Sequence, residues 1–280
     1  MLKVLQYVIA ILVLIIIGII ICSFIANLVF KHKVNREVEE LLRDSKAKQS
    51  VQQSDLQGLP SPVQKWMTAA GVIGKERIQS VRMKQQGFMR TKINQPWMPF
   101  SAQQYAVIKE PGFIWSVKAQ AAPFISIVGR DMYYKGQGNM LIKLLGLVTV
   151  ANASGKEVNQ GSMLRYMAET MWYPSAALSS YIQWENIDDN SARATMRCKG
   201  MEASGIFHFN DRGEPVNFTA RRYRETDGSY ELATWSADVA DYKEFEGIRI
   251  PSTGTITWKL PTGDFTWYRL EIVDASFNTH

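Results

Sequence analysis

Between Val4 and Phe30 the chain carries no charged side chain. Leu, Ile, Val, Phe and Ala fill the run, and Gln6, Tyr7, Ser23 and Asn27 are its main polar interruptions. As a helix it is roughly 40 Å long at about 1.5 Å per residue, against a hydrocarbon core of about 30 Å. It spans a bilayer with some tilt, and no other stretch of the chain does. A cleaved signal has a shorter apolar region, about 7–15 residues, and ends in a small-x-small site. Ser23-Phe24-Ile25-Ala26-Asn27 makes a poor site of that kind, and Cys22 follows three isoleucines rather than the small residue that precedes a lipidated cysteine. Residues 1–30 are therefore expected to be a retained single-pass anchor.

What remains, about 250 residues, suits one large β-rich domain. The formal net charge of +6 lies outside the span, with Lys, Arg, Asp and Glu mixed along the chain. A mild basic excess suits an anionic membrane surface. Nucleic acid is not an expected partner, because no concentrated basic stripe exists. Arg221-Arg222-Tyr223-Arg224 reads as one face of a strand plus a turn. Cys22 lies in the span and Cys198 is alone in the domain, so no disulfide forms within it. The domain contains two histidines, the internal His208 and the C-terminal His280; with one internal histidine a zinc site lacks its usual ligands, and neither a metal nor a cofactor is expected. His208 alternates with aromatics in Ile206-Phe207-His208-Phe209, the pattern of a solvent-facing strand residue rather than a catalytic base.

Residues 31–58 are polar, with Val34, Val38, Leu41 and Leu42 forming a narrow apolar stripe at helical spacing. They read as a solvated helix over 35–48 and a Gln/Ser linker to Gly58. The segment is a spacer, or else its stripe docks on the domain or on another copy. The domain is expected over 59–280. Ser61 is placed as an N-cap and Pro62 as a first helical residue; Val63, Trp66, Met67 and Ala70 share a face, and Gly71 ends the helix. The period then shortens toward two, with strands expected over 78–90, 100–109, 113–120, 124–128 and 132–135. Turns are expected at Gly129-Arg130-Asp131 and Gly136-Gln137-Gly138. The run 140–151 is ambiguous. Met163, Leu164, Met167, Ala168, Met171 and Trp172 mark a second helix, ended by Pro174. Strands follow over 183–187, 192–197, 203–209, 216–224, 230–242, 248–260 and 265–277, joined by Gly-containing turns that imply antiparallel pairing. Two or three helices do not cover both faces of so many strands, so the sheet should curl around them. The expected fold is α+β: an N-terminal transmembrane helix, then a curved antiparallel sheet, an incomplete barrel, with two or three helices on its concave face.

The chain holds eight tryptophans. They build the core of a large curved sheet, or several of them line an apolar pocket; methionines adapt to such surfaces. Trp97, Phe100, Trp115, Met163, Met167, Met171, Trp172 and Trp184 are the candidates for contact with an apolar ligand. Arg165 and Glu169, one turn apart, form an ordinary exposed ion pair or, if buried, the polar anchor of a site. Asp131 joins them as an anchor candidate, although its place in Gly129-Arg130-Asp131 favours a turn.

The domain also resembles a known family. The marks are Leu59-Pro60 with Pro62-Val63, Gln86-Gly87-Phe88, Trp97-Met98-Pro99-Phe100, Ala102-Gln103-Gln104 and Gly129-Arg130-Asp131. They continue with Arg165 and Glu169, Trp172-Tyr173-Pro174, Trp184 with Asp188-Asp189, Ala192-Arg193-Ala194, Arg221-Arg222-Tyr223, Gly247-Ile248-Arg249-Ile250-Pro251 and Trp258. These are similar to a bacterial family without an assigned activity, often with one N-terminal span. In outline that domain is similar to the lipoprotein-carrier fold, a curved sheet closed by helices around an apolar cavity. The resemblance implies a membrane-tethered, non-enzymatic domain that binds a lipid or other apolar molecule. Two alternatives are a hydrolase-like enzyme using Arg165 and Glu169, with Asp131 or His208, and a membrane-anchored scaffold for a protein partner. The basic residues after the span favour a cytoplasmic domain, the carrier likeness the outer side of a cell (inner) membrane; the outer side is preferred.

Overall fold

The computed structural model describes residues 1–43 and 49–278. The first helix, α1 (Leu2–Leu42), is continuous and is the one helix among the described residues long and apolar enough to cross a membrane. The expected helix over 35–48 is seen as far as Leu42, and residues 44–48 lie outside the described residues. A short 3-10 turn (Gln53–Leu56) and α2 (Ser61–Ala69) follow. Six strands come next: β1 (Ser80–Met89), β2 (Met98–Val107), β3 (Gly112–Ala122), β4 (Ile125–Tyr134), β5 (Gln137–Leu144) and β6 (Val148–Ser154). Helix α3 (Lys156–Glu169), extended by two 3-10 turns as far as Leu178, leads to the second set. That set is β7 (Ile182–Asp188), β8 (Ser191–Cys198), β9 (Met201–Phe209), β10 (Pro215–Thr226), β11 (Ser229–Phe245), β12 (Ile248–Leu260) and β13 (Gly263–Phe277).

All thirteen strands form one antiparallel sheet, in the order β6-β5-β4-β3-β2-β1-β13-β12-β11-β10-β9-β8-β7. Each strand pairs with its sequence neighbour except at the centre, where β1 meets β13 and α3 crosses between the two halves. Gly87 is required at that joint: a Cβ there would stand 2.0 Å from the Arg269 carbonyl oxygen. Five hairpins turn on a residue followed by glycine, both with positive φ: Lys135-Gly136, Leu145-Gly146, Lys199-Gly200, Asp227-Gly228 and Glu246-Gly247. This backbone twist matches that of the flanking strands, and glycine adopts it without steric cost. The expected incomplete barrel is what forms. Its concave face holds the main core, with α2 and α3 packed inside; Trp66 of α2 lies fully buried beside Phe207 and Phe209.

Four local expectations need correction. Gly129-Arg130-Asp131 is not a turn but the middle of β4, because β3 and β5 pair with it on both sides, Trp115 opposite Asp131 and Leu141 opposite Arg130. The ambiguous run 140–151 is a hairpin. Ser61 is the first residue of α2 rather than its cap; Val63 and Gln64 donate their N–H groups to the Pro60 carbonyl. The folded body also reaches back before Leu59: Ser50 bridges to Glu76, and Val51 and Leu56 are buried in the core.

The apolar stripe of α1 is docked rather than solvated. Phe30, Val34, Val38 and Leu41 are buried against Val107, Ile114, Val128 and Leu141 on the convex face of β2–β5. Each such side chain contributes about 1.5–3 kcal/mol when fully buried. Glu37 pairs with Arg130 at 3.0 Å. At the other end of the contact, Ser23 Oγ and Asn27 Nδ2 donate to the Leu145 carbonyl at 2.7 and 3.1 Å.

Candidate ligand cavity

Between α3 and the inner face of the sheet lies a cavity of about 480 Å³, within the usual range of ligand pockets, about 300–1,000 Å³. Strand alternation builds its wall: Ile127 of β4, Met140 and Ile142 of β5, Trp235 and Val239 of β11, Ile256 and Trp258 of β12, and Phe265 and Leu270 of β13 point inward. Met171 and Trp172, in the 3-10 turn after α3, close it from the helical side. The lining also includes exposed or half-exposed residues where β1 turns to β2 (Arg90, Thr91) and β10 to β11 (Arg224, Glu225, Tyr230), so the cavity opens at that end of the barrel.

A closed polar network lies in the inner wall. Arg165 of α3 donates to Asp131 at 2.6 Å and to Glu169 at 2.8 Å. Gln104 Nε2 donates to the other oxygen of Glu169. Gln85 Nε2 donates to Gln104 at 3.0 Å, while the Gln85 carbonyl accepts from Trp115 Nε1 at 2.9 Å and from the Tyr268 hydroxyl at 3.2 Å. The Arg165 guanidinium also lies over Phe113, 4.6 Å from the ring centre. Burial disfavours its charge, but Glu169 and Asp131 outweigh that and raise its pKa. Burial likewise pushes the Glu169 carboxyl up, against the pull of Arg165. The hydrogen bonds of Glu169 are thus spent on orientation.

Arg222 differs. It projects inward from β10 over Trp235 and Trp258, at 4.9 and 6.0 Å from the ring centres, and among the described residues it has no hydrogen-bonded or ion-paired partner. Burial pushes its pKa down to about 10, which leaves it charged at neutral pH.

Of the sequence-derived candidates, Trp115, Met171, Trp172, Arg165, Glu169 and Asp131 line the cavity. The others do not. Met163 and Met167 are fully buried in solid core, because the α3 face that carries them packs on the sheet. Phe100 stacks on Tyr268, with ring centres 4.9 Å apart. Trp184 packs beside α2, near Trp66 and Phe207, and donates to the Ala177 carbonyl. Trp97 lies between the Arg90 and Arg269 guanidinium groups in the β1–β2 loop. His208 is exposed on β9, away from these groups. In the sequence Arg222 sits within the basic cluster 221–224, and its inward parity with the buried Phe218 and Ala220 is the signal that distinguishes it. Among the described residues no group of His, Cys, Asp and Glu could hold a metal ion.

Two solved structures share a general likeness of outline. A LolA superfamily protein of Nitrosomonas europaea is 10% identical, with a TM-score of 0.40, over 72% of this chain and 87% of that one. A DUF1329 family protein of Desulfovibrio piger is 10% identical, with a TM-score of 0.37, over 79% and 94%. Among curated proteins none matches. Residues 49–270 match the model of a family of unknown function, DUF6544, and the chain belongs to that family.

Proposed function

We propose that this protein is a membrane-tethered, non-enzymatic domain that holds a lipid or other apolar molecule in its half-barrel cavity. The observation that carries the reading is the cavity itself: about 480 Å³, open at one end and lined mainly by apolar side chains. The tether supports it. Residues 4–22 of α1 lie beyond the docked part of the helix and, at about 1.5 Å per residue, measure about 28 Å, close to the thickness of a hydrocarbon core. The helix leaves the domain at the β5–β6 turn, where Ser23 and Asn27 meet Leu145. That is also the end at which the cavity opens, so the bilayer surface falls beside the mouth. Phe124, 97% exposed, and the exposed Ile125, Leu147 and Val148 stand at the same end on the β3–β4 and β5–β6 hairpins, where an apolar tip is at home in the membrane interface.

The test is lipid extraction from the purified full-length protein, compared with an Ala153→Trp variant that places an indole in the cavity. One lipid class enriched in the wild type and lost from the variant supports the reading. Identical lipid profiles overturn it. The alternative of acid–base chemistry gains from the convergence of Arg165, Glu169 and Asp131 in the cavity wall. It loses because both oxygens of Glu169 are already engaged. Turnover of an ester probe abolished by Glu169→Gln would favour the enzyme instead.

A further inference from the structure

Among the described residues, the buried side-chain N and O atoms of the cavity lining that lack a partner are all donors. Arg222 brings a guanidinium with no hydrogen bond of its own, and the buried indole N–H groups of Trp172, Trp235 and Trp267, in the same lining, also lack partners. The acceptors of the inner wall are taken, Glu169 by Arg165 and Gln104 and the Gln85 carbonyl by Trp115 and Tyr268, while the carboxylates of Glu157 and Glu225 stand on the more exposed part of the lining. Asp131 acts on Arg222 from a distance and spends its hydrogen bond on Arg165. Arg222 is half-buried, and a guanidinium partly withdrawn from water without a counter-charge in hydrogen-bond reach is costly. Here the faces of Trp235 and Trp258 offset part of that cost while leaving the N–H groups free. Helix α3 makes room for it: a Cβ on Gly161 would stand 2.9 Å from Arg222 Nε. The fold thus holds a cation in an apolar chamber with its hydrogen-bonding capacity unspent.

We propose that the ligand is an amphiphile with an anionic, hydrogen-bond-accepting head, of the carboxylate or phosphate kind, bound at Arg222 with its hydrocarbon chain along the apolar wall. This rests on the lipid-binding reading above and adds the chemistry of the head. A neutral apolar molecule leaves the guanidinium unpaired, and a cationic head is repelled by it. Fork-shaped pairing with a carboxylate or phosphate is what arginine offers over lysine.

The experiment uses the full chain in phosphatidylcholine nanodiscs, with energy transfer from tryptophan to cis-parinaric acid and to its methyl ester, against nanodiscs without the protein. The acid is expected to bind about ten-fold tighter than the ester, the scale of a hydrogen bond to a charged group. Arg222→Gln should bring the acid to the level of the ester and leave the ester unchanged. Displacement by oleate or by a single-chain phosphate monoester identifies which head is preferred. Equal affinity of acid and ester in the wild type overturns the inference, and that comparison does not depend on the variant folding. A preference that survives Arg222→Gln overturns the assignment to Arg222. Binding of the ester without preference for the acid leaves the cavity reading standing and removes this one; binding of neither probe removes both.

Discussion

Arg165 stands between two carboxylates in a wall otherwise apolar, and its removal should be costly in a specific way. Arg165→Met strands Asp131 and Glu169 without their cation, with an expected loss of about 3–5 kcal/mol. Chemical unfolding of the full chain measures it. Adding Asp131→Asn and Glu169→Gln should restore much of the loss, because the triple variant buries no unpaired charge. Glu214 offers a second residue-level test. Burial pushes its carboxyl up, yet Asn210, Arg249 and Arg212 together hold it below the ordinary glutamate value. Its nearest cation, Arg249 Nη2, is 2.8 Å away. A depressed pKa gives stability that is present at neutral pH and lost as the pH falls through the folded-state value, below about pH 4.3. Glu214→Gln should flatten the acid limb of stability against pH. The Arg165–Glu169 pair was legible as a pair, but its burial was not, since helical spacing does not reveal which neighbour covers a face. Asp131 looked like a turn residue because Gly129 stands two positions before it; the ladder on both sides of β4 decided otherwise. Arg222 was legible in principle, from the alternation Phe218, Ala220, Arg222, and was masked by the arginines around it.

At the scale of elements, the contact between α1 and the sheet is the least ordinary piece of packing. Residues 30–42 lie along the convex face of the strands, and Arg130, only 5% exposed, takes its counter-charge from Glu37 across the contact. Val34→Asp should release the segment, at a cost of about 3 kcal/mol to docking. Hydrogen exchange of the β3 and β4 backbone and of residues 30–42 should then rise together, while α2 and β8–β10 keep their protection. Unchanged exchange at residues 30–42 would show that the docking does not depend on the stripe. The stripe of Val34, Val38 and Leu41 was plain in the sequence; the strand face that receives it was not, because Val107, Ile114 and Val128 come from three separate strands. The hairpins were easier to read, since residue–glycine pairs at regular spacing state their own backbone conformation. Helix α3 kept its face, but of that face only Ala168 and, in the turn beyond it, Met171 and Trp172 reached the cavity, because Met163 and Met167 are used up in packing.

For the molecule as a whole, the strands, α3 and the N-terminal apolar helix share one polarity: open mouth, apolar hairpin tips and the undocked part of α1 all lie at the same end. A photo-crosslinking residue placed at Phe124 or Val148 should capture lipid in nanodiscs, and one at Lys135, on the opposite rim, should not. Capture at neither tip would mean that the mouth is held away from the bilayer. The curl of the sheet was predictable from the ratio of strands to helices. The common polarity was not, because it depends on which outer strands receive α1. That clamp has a consequence for traffic. A barrel on a loose leash sweeps a volume and can ferry its cargo to a distant acceptor, whereas one bolted to its own stalk stays at a fixed height. Under the function proposed above, cargo taken from a lipid layer would be offered at the threshold, and onward delivery would fall to a recipient that travels to it.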